Sequence, residues 1–538
     1  MRRWTQRLTV LLLIFLGGLS CSSRVRSNRE IKVNPTNRPN PGNQDQGNQG
    51  NQGNQGNQGN QGNQGNQGNQ GNQGNQGNQI DTESSNCSIA SGSTAKVFMA
   101  TGIKIGEVDA SSAIVWTRLT KHAERNKKGK KFTEGASELP EGKTIEDMFN
   151  SAVGVNGSVR VRFWADNNPQ AVETLDWLKV DESTDHTKQF RLENLAADTK
   201  YHLCVEGRRP SGSEPEYALK SHFTTAPSAE TTKKILFTMG TCLDYSHVDT
   251  PESGHKIFAS MLKMNPNFSI LAGDIVYYDA GEPLAKNITL ARHKWNHTFA
   301  LDLQREFYRL IPSYFAKDDH DTLKNDTWPG QNYGDLTFAQ GLKLFREQVP
   351  MGPKTFRKFR WGKDLEIWLV EGRDFRSANN MEDGPNKTIW GKNQKNWFFD
   401  SFAKSDATFR ILVSPTPILG PDRQGKRDSH ANKGFKTEGD EVRAFLAQQK
   451  NSYVINGDRH WQYESTKGGI FEYGSGPASD GRAGQGRGLD ETMLKFLRTE
   501  GGFLAVAVDP DKGKPTLTFS HYDVDGKLQH QAIHQANP

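Results

Sequence analysis

Side chains that can bind metal ions follow four short apolar runs of this sequence. The runs ILFT, FSILA, PSYF and YVIN precede a thiol, a phenol, carboxyls and imidazoles, which belong to Cys242, Asp274, Tyr277, Asp319, His320, Asp458 and His460. Thiolate and phenolate are anionic donors that suit a ferric ion, whereas carboxylate and amide oxygens suit Ca²⁺, Mg²⁺ or Mn²⁺. The ligand set predicts two adjacent metals of different hardness.

The segment FAKDDHDTLKND, residues 315–326, crowds like charges at the end of one of these runs. Carboxylates that repel one another are stabilised when they share a divalent or trivalent cation. Asp319 and His320 are the functional candidates of this segment, with Asn325 as a further ligand candidate. The neighbouring carboxyls are interpreted as supports of these residues, and they belong to Asp318, Asp321 and Asp326.

The elements that must position these side chains are those of an α/β domain, predicted over residues 229–538. After the linker TTAPSAETTKK, apolar runs alternate with helix-length amphipathic segments. A further polar pair, Arg373-Asp374, follows the run LEIWLVEG. Because loops at one set of strand ends build the site in such sheets, we expect these clusters to converge in space.

Residues 93–228 have the pattern of a β-sandwich. In SVRVRFW, Val159, Val161 and Phe163 alternate with arginines, so one face packs and the other is solvated. The run LENLAADTKYHLCV, with Tyr201, is similar to the tyrosine corner of immunoglobulin-like and fibronectin-like domains. We therefore expect a sandwich ahead of the α/β domain.

The chain begins with an export signal, residues 1–21, in which arginines precede a short apolar run. The signal ends at GGLSC, which resembles the bacterial lipoprotein box, so lipidation of Cys21 stays open beside plain cleavage and a twin-arginine route suggested by Arg2 and Arg3. Residues 22–92 include eleven Gly-Asn-Gln triplets at 47–79 and predict a disordered tether. The expected location is the periplasm, the cell envelope or the extracellular space.

The remaining cysteines and the overall charge add two expectations. Cys87 and Cys204 either form a disulfide or leave Cys204 as a buried free thiol. The net charge of +6 is dispersed along 538 residues, so no nucleic-acid footprint is visible. We expect a monomer whose only membrane contact would be a lipid anchor.

Five blocks resemble the signatures of PhoD-type alkaline phosphatases, a branch of the calcineurin-like metallophosphoesterases. They are GTCxxY, GDxxY, DDHDxxxxND, GRDFRS and GDRHW, which begin at residues 240, 273, 318, 372 and 457. The resemblance implies a four-layer sandwich of two mixed sheets flanked by helices, preceded by the β-sandwich. It also implies a dinuclear site, Fe³⁺ with Ca²⁺ or alternatively Mn²⁺ or Mg²⁺.

The same resemblance assigns roles to individual residues. Iron would be held by Cys242, Asp274, Tyr277 and His460, and Asp274 would bridge to a second metal held by Asp319, Asp458 and Asn325. His320 would act beside the phosphate as acid or electrostatic stabiliser, and Arg373 would clamp it. The implied activity is hydrolysis of phosphomonoesters, phosphodiesters or both.

Two alternatives to this activity stay open. The head could be a phosphodiesterase or phospholipase with a specific lipid or cell-wall polymer as substrate, because the same kind of dinuclear site cuts diesters. A surface-binding lipoprotein with a decayed catalytic head is the other alternative, and the complete ligand set argues against it.

Overall fold

The computed structural model describes residues 86–87, 89, 95–423, 425–486, 488–511 and 513–537. The predicted export signal, Cys21 and almost all of the predicted tether lie outside these residues. Within the described part of the chain, none of the helices combines the length and apolar character needed to span a bilayer.

The N-terminal region is built from short strands rich in β-branched and aromatic residues. These strands are β1 (Ile103–Gly106), β2 (Ala113–Arg118), β3 (Gly157–Ala165), β4 (Glu173–Thr174), β5 (Leu178–Val180), β6 (Thr187–Leu192), β7 (Lys200–Arg208) and β8 (Tyr217–Thr224).

From residue 235 the chain alternates strands with helices. The strands are β9 (Ile235–Gly240), β10 (Phe268–Ala272), β11 (Ser313–Ala316), β12 (Asn332–Tyr333), β13 (Leu336–Thr337), β14 (Arg357–Trp361), β15 (Leu365–Leu369), β16 (Phe409–Ser414), β17 (Ser452–Asn456), β18 (Gln462–Lys467), β19 (Ile470–Ser475), β20 (Leu494–Arg498), β21 (Gly502–Asp509), β22 (Thr516–Asp523) and β23 (Leu528–Gln535). The α-helices are α1 (Lys256–Lys263), α2 (Ile288–Phe299), α3 (Asp302–Leu310), α4 (Phe338–Gln348), α5 (Gly391–Ala403) and α6 (Lys436–Leu446).

Two large mixed sheets form the centre of the molecule. One has the order β23-β22-β21-β9-β10-β11-β1-β2-β6, and the other has the order β14-β15-β16-β17-β19-β18-β20. Ile270 of β10 and Ile367 of β15 belong to the same buried cluster, so the two sheets pack face to face. The adjacent residues Leu271 and Trp368 point to the opposite faces, because side chains alternate along a strand.

Helices cover these two outer faces. Buried side chains of α1 to α4 share the cluster of Leu271, among them Phe258, Trp295, Phe307 and Phe345. Helices α5 and α6 cover the other sheet, where Phe398 and Val442 pack with Trp368. The predicted four-layer sandwich of two mixed sheets flanked by helices is thereby confirmed.

The N-terminal sandwich shares one of its sheets with this core. β3, β4, β5, β7 and β8 form a separate sheet, whereas β1, β2 and β6 extend the nine-stranded sheet through the parallel pair of β1 and β11. The tyrosine corner is present, since the Ala196 backbone N–H donates to the Tyr201 hydroxyl at 2.8 Å. Of the two alternatives for the cysteines, the structure has the disulfide between Cys87 and Cys204.

Candidate metal centre

The predicted ligands lie in loops at the carboxyl ends of parallel strands. β9, β10 and β11 are parallel neighbours in one sheet, and β15, β16 and β17 are parallel neighbours in the other. Cys242 follows β9, Asp274 follows β10, and Asp458 follows β17. Because the two sheets face each other, their strand ends open onto one common edge, as the sequence predicts.

Three of these residues have a backbone conformation that is uncommon for residues other than glycine. The φ angles of Cys242, Asp274 and Asp458 are 56°, 56° and 64°, in the left-handed region. Such a conformation costs on the order of 1 to 3 kcal/mol per residue and persists where the surrounding structure enforces it. Each turns the chain sharply at the strand end, so the side chain points into the shared edge.

Two glycines allow these loops to approach each other. A Cβ on Gly457 would lie 2.4 Å from the Ala272 carbonyl oxygen and 2.6 Å from the Thr241 hydroxyl. A Cβ on Gly273 would lie 2.6 Å from Asp318 Cβ. The glycines of the GDRHW and GDxxY blocks are therefore required for contact between loops of different strands.

The first ligand group contains Cys242, Asp274 and His460, whose ligand atoms all lie within 4.8 Å of one another. Tyr277 joins this group, because its hydroxyl donates to Asp274 Oδ2 at 3.1 Å. The Cys242 Sγ lies 3.5 Å from the same oxygen. Thiol, phenol, carboxyl and imidazole thus converge on one point, which is the donor set predicted for the iron.

Two further groups share Asp274 with the first. One contains Asp274, Asp319 and His320, and the other contains Asp274, Asp318 and Asp458. Asp274 therefore stands between two sets of donors, as a bridging carboxylate would. Asp318, predicted only as a support of Asp319, thus lies among the candidate ligands.

The protonation equilibria of the donor set indicate how well it suits a cation. Burial raises the pKa of the Cys242 thiol well above its usual range, and Asp274 adds to the shift. Burial and Asp274 likewise raise the pKa of the Tyr277 phenol. Burial also raises the pKa of Asp274 well above the usual range, with Asp319 and Asp318 adding to it and His320 opposing it. A bound cation would compensate all of these charges at once.

Two buried carboxylate oxygens provide a direct test of that fit. Asp274 Oδ1 and Asp318 Oδ2 have no hydrogen-bond partner among the described residues. Leaving a buried carboxylate oxygen without a partner is costly, and such atoms are the ones that coordinate cations. The residues present therefore fit a metal site with oxygen donors next to the thiol and phenol.

His460 and His320 differ in charge. Burial and the nearby Arg482 guanidinium lower the pKa of His460 to about 3, so its imidazole is neutral and free to coordinate. Burial alone would lower the pKa of His320, but the carboxylates around it, first Asp319 and Asp274, raise it to about 10. His320 Nδ1 lies 2.5 Å from Asp279 Oδ1, which orients the ring toward the metal centre. His320 can therefore carry a proton at neutral pH.

Arg373 lies beneath the carboxylates instead of beside an open pocket. Its side chain is fully buried, and its Nε pairs with Asp318 Oδ1 at 2.6 Å. A second guanidinium nitrogen lies 3.6 Å from Asp319 Oδ2. Arg373 thus holds two carboxylates in place, and the phosphate contact predicted for it stays a prediction.

Asn325 lies on the exposed side of its loop, where its backbone N–H donates to Asp279 Oδ2 at 2.7 Å. The next residue is closer to the ligands, because the Asp326 N–H donates to Asp319 Oδ2 at 2.6 Å. The ligand role of Asn325 stays a prediction, and the loop around it supports Asp319.

Sequence reasoning missed one arginine of the site. The Arg482 guanidinium lies 4.5 Å from the centre of the Tyr277 ring and 3.6 Å from Asp244 Oδ2. Its loop, residues 475–488, is rich in glycine, a composition typical of exposed segments. No motif spacing relates Arg482 to the metal blocks, and only its position in the fold brings it next to Tyr277, a predicted iron ligand.

This fold and site define a metallophosphoesterase-type architecture. A solved structure of PhoD aligns with a TM-score of 0.63 and 15% identity, covering 84% of this chain and 92% of its own. The purple acid phosphatase PPD1 from yellow lupin (Lupinus luteus) aligns with a TM-score of 0.55 and 10% identity, covering 82% of this chain and 74% of its own.

Family models and one curated relative lead from this class to a family. The PhoD-like phosphatase model matches residues 237–472, and the model of the PhoD-like phosphatase N-terminal domain matches residues 85–227. Alkaline phosphatase D of Bacillus subtilis (strain 168) is 22% identical over an alignment of 399 positions, which covers 61% of this chain and 65% of that protein. The match thus spans less than two thirds of the relative. The chain belongs to the PhoD-like phosphatase family.

Proposed function

We propose that this protein is a metal-dependent hydrolase of phosphoric esters with a dinuclear metal centre. The observation that carries the proposal is the position of Asp274, which belongs to all three candidate ligand groups. A carboxylate shared in this way can bridge two cations, and paired cations a few ångströms apart are the recurrent machinery of phosphoester hydrolysis. Membership of the PhoD-like phosphatase family supports the same reaction.

The donors favour two different metals. Cys242, Tyr277 and His460 supply sulfur, phenolic oxygen and nitrogen, which suit Fe³⁺. The other side is formed by carboxylates, among them Asp319 and Asp458, which suit Ca²⁺, with Mn²⁺ or Mg²⁺ as alternatives. When bound, these cations supply Lewis-acid polarisation of the ester and activation of the attacking water.

The chain's own residues supply the remaining steps. His320, whose ring is held by Asp279, would donate a proton to the departing alcohol or hydrogen-bond a phosphoryl oxygen. The Arg482 guanidinium adds positive charge beside Tyr277, which would stabilise negative charge that develops on a phosphoryl group held at the metals. Arg373 keeps Asp318 and Asp319 oriented from below.

The proposal is tested by removing the shared carboxylate. We expect Asp274→Asn to lose both metals and to lose hydrolysis of a panel of phosphomonoesters and phosphodiesters, because both subsites depend on this residue. The measurements are metal analysis of the purified protein, its visible absorption and the rate of phosphate or alcohol release.

The matched control is Asp176→Asn, an exposed carboxylate in the N-terminal sandwich. It should keep wild-type metal content and rates. Full activity of Asp274→Asn would overturn the dinuclear proposal, and a wild-type protein that is inert toward every ester of the panel would overturn the assigned reaction. The panel also decides between monoesters and diesters.

We further propose that the protein is exported, on the support of its N-terminal sequence and its disulfide. Disulfides such as that between Cys87 and Cys204 persist in oxidising compartments. Cell fractionation should find the protein in the envelope or the medium, and the mass of its mature N-terminus distinguishes a lipid on Cys21 from plain cleavage. Recovery in the cytoplasm with free thiols would contradict export.

A further inference from the structure

A basic groove outside the metal centre is formed by the segment between β16 and α6 together with α6 itself. The cavity has a volume of about 610 Å³ and is lined by five cationic residues and a single acidic one, which are Arg423, Lys426, Lys433, Lys436, Arg443 and Asp422. That volume is in the range of pockets that hold small ligands. The lining predicts an anionic ligand.

The groove is joined to the metal centre by ion pairs. Asp422 pairs with Arg459, and Arg459 pairs in turn with Asp458, a predicted ligand of the second metal. On the other wall, Lys426 Nζ lies 3.4 Å from Asp326 Oδ1, and the Asp326 N–H donates to Asp319. On each wall a single residue, Arg459 or Asp326, therefore separates the groove from a carboxylate of the second metal subsite.

Most charges of the lining are used within the protein. The acidic residue, Asp422, is neutralised by Arg459, and Lys426 is shared by Asp326 and Asp428. Lys436 and Arg443 pair with the same carboxylate, Asp440. The positive and negative charges of these ion pairs therefore nearly balance, and only two cations of the lining are left outside this balance.

Arg423 and Lys433 are those two cations. Both side chains are exposed, and neither has an ion-pair partner among the residues that the structure describes. The Arg423 guanidinium lies 5.4 Å from the centre of the Trp461 ring, directly after the predicted ligand His460. Stacking on Trp461 orients the guanidinium while leaving its N–H groups free to bind an anion.

We propose that this groove binds a second anionic group of the substrate, a phosphate or a carboxylate, carried by the leaving group of the ester. The inference rests on the proposed function, because it places the reacting phosphoryl group at the metals. Arg423 and Lys433 contact the second anion, and the substrate class is that of phosphoesters with a further negative charge beyond the reacting group.

The test uses three esters that differ only in the para substituent of the leaving group. They are phenyl phosphate, para-carboxyphenyl phosphate and para-phenylene bisphosphate. The double variant Arg423→Gln and Lys433→Gln should lower kcat/KM for the latter two by about tenfold or more, mainly through KM, while phenyl phosphate changes less than about twofold. High salt should remove the preference in the wild-type protein, since exposed charges are screened.

The matched control is the double variant Lys392→Gln and Lys495→Gln, in which two exposed lysines outside the groove are neutralised. Its kinetics should equal those of the wild type for all three esters. An equal loss on all three esters in the groove variant, or no loss on any, overturns the subsite. A loss on only one of the two charged esters identifies the group that the groove accepts.

Failure of the proposed function gives a different result. If the wild-type protein hydrolyses none of the esters, titration calorimetry with pyrophosphate still tests the groove. Binding that weakens by about tenfold in the groove variant supports an anion site, whereas equal binding in both proteins overturns it.

Discussion

The side chains of Cys242, Asp274 and Asp458 are aimed by backbone conformations that their residue types rarely adopt. The strain is tolerated because parallel strands fix the loops from both sides, and glycines let those loops touch. Gly457 is the most constrained of these contacts, since it lies between Thr241 and the Ala272 carbonyl. It is the residue at which the loop after β17 meets the loops after β9 and β10.

We predict that Gly457→Ala lowers metal content and activity without unfolding the protein. The added methyl group would lie 2.4 Å from the Ala272 carbonyl oxygen, so the loops must separate and move Asp458 away from Asp274. Such overpacking costs roughly 1 to 3 kcal/mol. Metal analysis and chemical denaturation measure the two effects. Gly384→Ala is the control, because a Cβ there meets no atom within 4 Å, and unchanged metal content in Gly457→Ala would refute the prediction.

Two strand-end loops are connected by buried charge. Lys317, after β11, pairs with Glu371 and lies 2.7 Å from Asp374 Oδ1, both of the loop after β15. The adjacent pair of Asp318 and Arg373 crosses between the same loops. These pairs connect the two sheets directly beneath the metal ligands, so the site depends on how the loops are held together.

We predict that Lys317→Met destabilises the fold by about 3 to 5 kcal/mol, because it leaves two buried carboxylates without their cation. The free energy of unfolding from denaturant titration measures this loss. Lys392→Met, on the exposed face of α5, should change stability by less than about 0.5 kcal/mol. Equal stability of the two variants would show that Glu371 and Asp374 find other partners or take up protons at little cost.

Helix α2 contains a buried lysine that makes stability depend on pH. Lys294 Nζ donates to the carbonyl oxygens of Ala280 and Gly281 at 2.7 and 2.6 Å. Burial lowers its pKa to about 7, whereas the unfolded chain has the ordinary value of about 10.4. Between these values the unfolded state binds more protons, so the free energy of unfolding rises with pH.

We therefore predict that the wild-type protein gains stability relative to Lys294→Met as the pH rises from about 7 to about 10, by up to roughly 1.4 kcal/mol per pH unit. Urea titrations at several pH values, compared between the two proteins, isolate this contribution from other titrating groups. A constant difference between them across that interval would show that Lys294 stays charged in the fold.

At the scale of the molecule, sequence patterns predicted the features that short segments encode and missed those that depend on pairing between distant segments. The β-sandwich and the α/β class of the core are confirmed, because alternation and strand-end clusters are encoded in short segments. The four-layer arrangement, which the family resemblance implies, is confirmed as well. The continuation of the nine-stranded sheet into β1, β2 and β6 depends on the pairing of Gly106 with Ser313, far apart in the chain. No local sequence pattern encodes this pairing between distant strands.

The same distinction between local and long-range features explains which residues of the site could be predicted. The ligand candidates stand in motifs beside their strands, and the structure brings most of them together. Arg482 and the groove cations Arg423 and Lys433 belong to loops whose composition is typical of exposed segments. The contacts of Arg423 with Trp461 and of Arg482 with Tyr277 arise only when distant loops meet over the strand ends.

The shared sheet has a consequence for the whole chain, because the N-terminal region covers an edge of the catalytic core. Without it, β11 would lose β1, and Glu347 of α4 would lose the indole N–H of Trp116, which donates to its carbonyl oxygen at 2.8 Å. Asn296 and Gln348 would lose the Asp185 carboxylate, which accepts from each of them at 2.9 Å. The predicted domain boundary near residue 228 separates two segments that share one core.

We predict that the fragment of residues 229–538 does not fold as the intact chain does, since it exposes the β11 edge and its apolar surroundings. Compared with a chain that lacks only residues 1–84, the fragment should give a lower soluble yield, elute less homogeneously in size-exclusion chromatography and unfold at a lower temperature. That longer chain keeps Cys87 and the whole sandwich, and it should match the full-length protein in unfolding temperature and metal content. A soluble, monomeric fragment 229–538 with the same unfolding temperature would show that the catalytic core is stable without the strands that extend its sheet.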